Sequence, residues 1–453
     1  MGYISPFWVI LYGDFIQSLT FSHNSSENSS CGVCIFTSRF PTQFRVDHIM
    51  ATFMSPRSAN RPLTVLLAGS TGFFGSQLYH FLKKKGFHVL PVAREQTHLR
   101  VAEKAVTYDQ IAKHGLPDCD FVISVTGNNV MLGDWDDHTK GEIERSRISV
   151  NKVLANAIRD SQIKPYAFLH ASCSSYYPRS ESRTYDESFV LPPQPSLEEL
   201  QDPAVQAREM SLPYFSRMTR AWEAAARVYD PKLDYRTPEQ LEYLRQMRIR
   251  HDEQERTKAG GIYRGGDPHK DESSRYELLD NSDVRVVHMR MGMLTSTYAP
   301  FMTMARDYIE WGVLSRVGTG EQYMPWIHVD DALKMYLFAM INEISGPVNC
   351  VAPSLSTNKD YFATARKIFG GISMPFPIPD RLVENRFGLV RAPLLTQSLS
   401  VVPKKALDNG FTFKYNTLED VVKEPKSQFE KYIEKIGGYG QQDRFAVMQP
   451  KYH

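Results

Sequence analysis

At 453 residues and 42% hydrophobic content, the chain has ample material for one large domain plus a smaller one. Its 53 Lys and Arg nearly cancel its 51 Asp and Glu, so no strong field favours nucleic acid or an anionic membrane, and a small-molecule partner is expected. Five cysteines, Cys31, Cys34, Cys119, Cys173 and Cys350, are too few and too scattered for a disulfide framework, and the Cys31–Cys34 CxxC lacks a second pair to close a zinc site.

The apolar run from Phe7 to Gly13 is cut by Asp14, well short of the ~20 residues that a membrane-spanning helix needs. No Lys or Arg precedes Arg39, so a secretory signal would lack its basic start. Residues 1–60 are expected to be a disordered or targeting extension. Four arginines against the single acid Asp47 between Thr37 and Arg61 resemble an organellar transit sequence, which leaves a cytoplasmic location as the expectation and a mitochondrial one as the alternative.

Folded texture begins at Leu63, where LTVLLAGSTGFFG runs an apolar stretch into Gly69, Gly72 and Gly75. The pattern predicts a strand, a tight turn and a helix start. Gly69 permits the turn, Gly72 lets a phosphate approach the backbone, and Gly75 lets the helix pack on the sheet. The helix amino end then offers its amides and dipole to a pyrophosphate, making Gly69, Ser70, Thr71, Gly72, Phe73, Phe74 and Gly75 candidate cofactor-binding residues. Leu78, Phe81 and Leu82 keep helical spacing up to Gly86.

His88 to Ala93 is expected to be the second strand, ending at Arg94. A basic residue at that tip suits a ribose 2′-phosphate where an acid would suit a free hydroxyl, so Arg94 favours NADP over NAD. Ala105 to Asp109 is expected to form a third strand and Phe121 to Val125 a fourth, followed by Thr126 and Gly127 in a loop that can pass close to a cofactor. A helix is expected from Asp136 to about Ser161, then a fifth strand from Tyr166 to Ala171. Strands alternating with helices at this spacing imply right-handed crossovers and a doubly wound α/β fold with a parallel sheet.

Ser172 to Pro203 is expected to be an irregular loop at the carboxyl ends of the strands, where chemistry occurs in such sheets. One helix is predicted from Ala204 to Tyr229, and Pro231 to Ser282 is expected to be a mobile, charged insertion. Val284 to Leu294 resumes the sheet; GTGEQYMPWIHVDD at Gly318 to Asp331 predicts a loop, a strand and an acidic helix cap; Gly346 to Val351 is another strand, and a helix begins at Thr357. From Ser373 the proline-rich texture suggests a small α+β cap domain. The expected organisation is a 1–60 extension, a dinucleotide-binding domain over 61–350 with an insertion at 231–282, a carboxyl-terminal domain over 351–436, and a disordered tail over 437–453.

With GSTGFFG, VTGNNV, Trp135 with Lys140, Ser146 and Arg147, then SYY, WEAAA at Trp222 to Ala226, PWIHVDD, VNCVAP and PKKALDNGFTF in this order, the chain resembles the epimerase-family proteins among the atypical, extended short-chain dehydrogenases/reductases (SDRs). The resemblance is to the group ending in a small domain of unknown function, and it covers roughly Leu63 to Val421 apart from the insertion. It implies a tyrosine that moves a proton at the reacting oxygen, a lysine four residues later, and a serine that orients substrate. Among the 23 tyrosines only Tyr79 has such a lysine, Lys83, and that pair falls on the first helix. Counted back from Trp222 and Glu223, the implied tyrosine and lysine positions hold Phe215 and Thr219, and the serine position falls on Ser172 or Cys173.

Ser172, Cys173, Tyr176 and Tyr177 are therefore the catalytic candidates, with Tyr185, Tyr214, Glu187 and His328 as further substitutes for the missing relay. The expected function is an NADP-binding oxidoreductase or sugar-epimerase-like enzyme that lacks the usual relay. The alternative is a catalytically silent NADP-binding sensor or interaction protein.

Overall fold

A computed structural model describes residues 61–94, 105–131, 135–196, 198–227, 284–310, 312, 314–371 and 375–424. The expected 1–60 extension, the Cys31–Cys34 pair, the 231–282 insertion and the 437–453 tail lie outside the described residues.

The sheet grows from β1 (Thr64–Ala68), whose five residues are all buried, as befits a central parallel strand covered on both faces. Its neighbours are β2 (His88–Ala93) and β4 (Phe121–Ser124), with Leu66 opposite Leu90 and Val122. With β3 (Val106–Thr107), β5 (Ala167–Cys173), β7 (Arg285–Met291) and β10 (Gly346–Cys350), the order is β10-β7-β5-β4-β1-β2-β3, all parallel. The chain runs outward from β1 to β3, then returns to the other side of β1 at β4, so the sheet reverses direction between β1 and β4. A crevice opens outside the carboxyl ends of strands at such a point.

Helix α1 (Phe73–Lys84) buries Phe74, Leu78 and Leu82 on the sheet. Only Val106 and Thr107 of the expected third strand are extended, because Thr107 and Gln110 close a capping box that starts α2 (Tyr108–His114) inside that stretch. Helix α3 (Asp137–Asp160) is capped by the Asp136 side chain on the Thr139 amide and packs Leu154 and Ile158 under Val122 and Phe168.

The predicted helix over 204–229 is two helices, α4 (Pro203–Ser211) and α5 (Tyr214–Ala225). Pro213 has no amide hydrogen to continue a helical ladder, and residues before a proline are pushed out of helical geometry. The expected sixth strand over 284–294 likewise divides at Gly292 into β7 and β8 (Met293–Thr295). There the Gly292 amide goes to the Cys350 carbonyl, and β8 leaves the main sheet to pair with β9 (Trp326–His328).

The loop expected to be irregular carries a core of its own: Tyr176, Tyr177, Tyr185 and Leu191 are buried together with Val351, Leu399 and Val401. Its β6 (Thr184–Tyr185) pairs with β11 (Ser400–Val401). Helix α6 (Pro300–Glu310) precedes α7 (Val329–Ile341), whose cap is the His328 side chain accepting the Asp330 amide, rather than an acid. Asp331, at the end of the stretch expected to hold an acidic cap, is fully buried and accepts the amides of Lys414 and Tyr415. Beyond α8 (Asn358–Phe369) come α9 (Asp380–Arg391), α10 (Pro393–Thr396), α11 (Lys404–Asp408) and α12 (Leu418–Val422). Among the described residues no helix is long and apolar enough to cross a membrane.

Candidate functional site

The loops after β1 and β4 meet at the reversal point. Gly69 has φ +88°, and a Cβ there would lie 2.7 Å from the Val125 carbonyl oxygen, so the turn tolerates no side chain. A Cβ on Gly75 would fall 2.0 Å from the Gly69 oxygen, which makes the tight first turn of α1 depend on glycine there as well. Gly72 differs. It is exposed, has φ −76° and ψ 167°, and a Cβ would meet only the Gly69 oxygen at an ordinary 3.5 Å.

The fold therefore leaves open space in front of the α1 amino end. No side chain caps that end and no acid lies in its first turn. The hydroxyl of Ser70 is fully buried with no hydrogen-bond partner among the described residues. Thr71 is exposed, Phe73 contacts the Tyr298 ring at 5.9 Å, and Phe74 packs on Tyr336 at 5.3 Å. An uncapped helix terminus with an open backbone approach fits an anionic group such as a pyrophosphate.

Arg94 is exposed at the carboxyl tip of β2. The Thr126 hydroxyl sits 3.2 Å from that of Ser124. Gly127 lies against Arg147, where a Cβ would come within 2.8 Å of the guanidinium carbon. Arg147 donates to the carbonyls of Ile143 and Asn128 and lies over the Trp222 ring at 5.3 Å. Burial, partly offset by Cys173 and Tyr214, holds its guanidinium down at about 10.

The four catalytic candidates come together at the end of β5, and all four are engaged in hydrogen bonds. Strand β5 continues through Ser172 and Cys173, beyond the expected end at Ala171, and register sets Ser172 opposite Arg290 and Arg290 opposite Asn349. Ser172 donates at 2.6 Å to Glu223, which also receives Arg290 at 2.8 and 2.9 Å. Burial alone would raise the Glu223 carboxyl; the Arg290 charge and hydrogen bonds outweigh it and hold it near 2.

Tyr177 accepts from Arg290 at 2.9 Å and lies within hydrogen-bond distance of Asn349 and the Asp186 carbonyl, and burial pushes its phenol up to about 12. The Tyr176 hydroxyl accepts the Leu191 amide, with the Arg290 guanidinium 3.5 Å from its ring centre. Cys173 is half-buried and accepts the Ser175 amide.

The other substitutes are also occupied. Tyr185 is buried and stacked on Tyr177. Glu187 accepts the amides of Asn349 and Lys405. His328 is fully buried, stacked on Tyr415 and 3.2 Å from Glu424. Phe215 and Thr219, at the implied relay positions, are both buried on α5: Phe215 packs edge-on to Trp135, and the Thr219 hydroxyl has no partner among the described residues. Tyr214 alone among these tyrosines is half-buried, and it donates at 2.8 Å to Glu144 of α3. Sequence reasoning missed Glu144, Arg290 and Asn349. The signal available was weak, since Arg290 and Asn349 are polar residues inside strands that read as apolar.

Two buried histidines lie on the same face one pleat earlier. His170 and His288 are register partners with ring nitrogens 2.5 Å apart, and Asn151 approaches His170 at 3.0 Å. Burial lowers both, His170 to about 4.

A parallel sheet reversing at a glycine turn with an open helix terminus is the doubly wound, Rossmann-type architecture found in proteins that bind nicotinamide dinucleotides. The profile of the NAD dependent epimerase/dehydratase family matches residues 65–197, and that of a domain of unknown function, DUF1731, matches residues 378–424. The two matches together make the chain similar to the epimerase-family proteins among the atypical SDRs that carry this carboxyl-terminal domain.

It is 26% identical over 365 residues to human epimerase family protein SDR39U1, covering 80% of this chain and 99% of that protein. It is 25% identical to epimerase family protein YfhF of Bacillus subtilis, covering 79% and 96%. The crystal structure of human SDR39U1 isoform 2 with NADPH superposes with a TM-score of 0.59 at 25% identity, covering 80% of this chain and 98% of that one. A nucleoside-diphosphate sugar epimerase from Corynebacterium glutamicum, 16% identical with a TM-score of 0.50, covering 89% of this chain and 68% of that one, shares the fold.

Proposed function

We propose that the chain binds NADP at the reversal point and is an NADP-dependent oxidoreductase or epimerase acting on a small molecule. The observation that carries this reading is Gly72: the fold itself would accept a side chain there, yet the position is open backbone at an uncapped helix terminus. Residues 69–75 would hold the pyrophosphate, Thr126 and Gly127 would lie along the cofactor, and Arg94 would meet the 2′-phosphate. Bound there, the nicotinamide would supply hydride transfer. The human relative whose structure contains NADPH supports NADP over NAD.

Titrating NADPH and NADH against the protein and two variants tests this reading. Gly72→Val should abolish binding of both. Arg94→Ala should remove charge-assisted hydrogen bonds worth about 1.5 to 3 kcal/mol, on the order of a ten- to hundredfold loss of NADPH affinity, with NADH unaffected. Equal loss of both cofactors in Arg94→Ala would overturn the NADP assignment.

The buried Phe215 and Thr219 favour a second reading, a catalytically silent NADP-binding protein. It would bind NADPH without oxidising it in the presence of any carbonyl.

A further inference from the structure

We propose that Tyr214 carries the proton in this site, with Glu144 behind it, in place of the family's tyrosine and lysine. This rests on the oxidoreductase reading above and names the group that would serve it.

Most of the candidate side chains that could move a proton are already engaged. Tyr177 is held by Arg290, Asn349 and a carbonyl; Tyr176 and Tyr185 are buried in the tyrosine cluster; Glu187 caps two amides; His328 is sealed against Tyr415. Ser172 donates to Glu223, a carboxylate committed to Arg290, and the Cys173 sulfur beside it accepts the Ser175 amide.

Tyr214 remains, directly before Phe215 at the start of α5, and both rings pack against Trp135, at 5.7 and 5.5 Å. Glu144 is also half-buried, and Arg147, one turn further along α3, meets the Gly127 loop beyond β4. The pair therefore stands where the loop after β4 meets the first turn of α5, beside the position the family gives to its tyrosine.

The electrostatics suit a group that keeps its proton at neutral pH and passes it on. Burial first, then the hydrogen bond and charge of Glu144, push the phenol up, while Arg147 and Arg217 pull it down. With its own hydrogen donated to Glu144, the Tyr214 oxygen has lone pairs free to accept a hydrogen bond from a substrate hydroxyl.

The substrate class is a secondary alcohol or the corresponding ketone, or their aldehyde analogues. In oxidation, the substrate O–H proton passes to the Tyr214 Oη as the Tyr214 proton passes to a Glu144 carboxylate oxygen. The carbon's hydrogen leaves with its electron pair to an oxidised nicotinamide dinucleotide, and the C=O bond forms. Reduction runs the same transfers backwards. Tyr214 is thus the catalytic residue and Glu144 a positioning residue acting through it.

The test uses the full chain with NADPH and 4-nitrobenzaldehyde as the carbonyl probe. Tyr214→Phe and Glu144→Gln should each lower kcat by about a hundredfold or more, leaving NADPH affinity unchanged and KM nearly so. Glutamine can still accept the Tyr214 hydrogen bond but can neither take nor give the proton, so an interhelical strut would survive Glu144→Gln and a relay would not. Glu144→Asp should recover part of the rate.

Independently of turnover, NMR titration of protein carrying tyrosine ring-labelled with carbon-13 should show one phenol ionising at lower pH in Glu144→Gln. That resonance should be missing in Tyr214→Phe. Unchanged kcat in Glu144→Gln, no shift in that titration, or NADPH bound without turnover in the unsubstituted protein would each overturn the relay. Failure of NADPH to bind would instead overturn the functional reading on which it rests.

Discussion

The turn after β1 and the polar stripe at the ends of β5 and β7 lie on the same edge of one sheet and are built in opposite ways. At the turn, two glycines are demanded by the fold while Gly72 is left open and the Ser70 hydroxyl has no partner among the described residues. Along the stripe almost every polar group is consumed: Ser172, Glu223, Arg290, Tyr177 and Asn349 form one buried network. A surface with unused capacity can receive a ligand, whereas a closed network holds the strands in register. Phe215 and Thr219 fill the implied tyrosine and lysine positions, and Ser172, at the implied serine position, is already bonded to Glu223, so residues clustered at a site need not be its reactive groups.

The largest expected effect lies in the stripe. Glu223→Ala would strand the buried Arg290 guanidinium and should cost about 3 to 5 kcal/mol, read as a lowered guanidinium midpoint. A loss below about 1 kcal/mol would show that water reaches Arg290 and that the contrast with the turn is false.

Next comes acid sensitivity. Because the folded His170 is held near 4 against an ordinary 6.5, with His288 also lowered, the unfolded chain takes up protons first as pH falls. The stability due to neutral histidines is complete above 6.5 and declines toward 4, by about 3 kcal/mol for His170 alone. Glu223 is depressed from 4.5 to about 2, so its contribution is lost as pH falls from 4.5 toward 2, below the range in which the histidines are read. Urea midpoints measured from pH 7 to 4.5 should fall in the unsubstituted protein and flatten in His170→Gln; a flat profile in both would refute the assignment.

Within the turn, Gly75→Ala must displace the Gly69 carbonyl and should cost about 2 to 3 kcal/mol, while Gly72→Ala should stay within about 1 kcal/mol. Thermal unfolding of the two variants compares them directly, and equal losses would remove the case for an open cradle. The smallest effect is Thr219→Val, which replaces an orphaned buried hydroxyl with a methyl group and should leave stability unchanged or raise it by up to about 1 kcal/mol. A clear loss in denaturant would mean that Thr219 has a partner.

Local signals made the turn legible: strand hydrophobicity, glycine spacing and the helical period that follows all lie within about two dozen residues, from Leu63 to Gly86. The same holds for α3, whose Asp136 cap and apolar period bracket it correctly, and for the parallel order implied by alternating strands and helices. Boundaries were misjudged where a single residue outweighed a longer pattern, as with the Thr107 capping box and Pro213.

The chain by itself thus determined the doubly wound architecture, the glycine turn and the absence of a tyrosine and lysine at the implied relay positions, because each depends on neighbours in sequence. Only the tertiary structure decided which side chains are already spent. Tyr177 meets Asn349 across 172 residues, Arg290 meets Glu223 across 67, and Tyr214 meets Glu144 across 70. Whether a hydroxyl or carboxylate is free to react depends on such long-range partners and on burial, and strand register and helix packing create both only once the chain has folded.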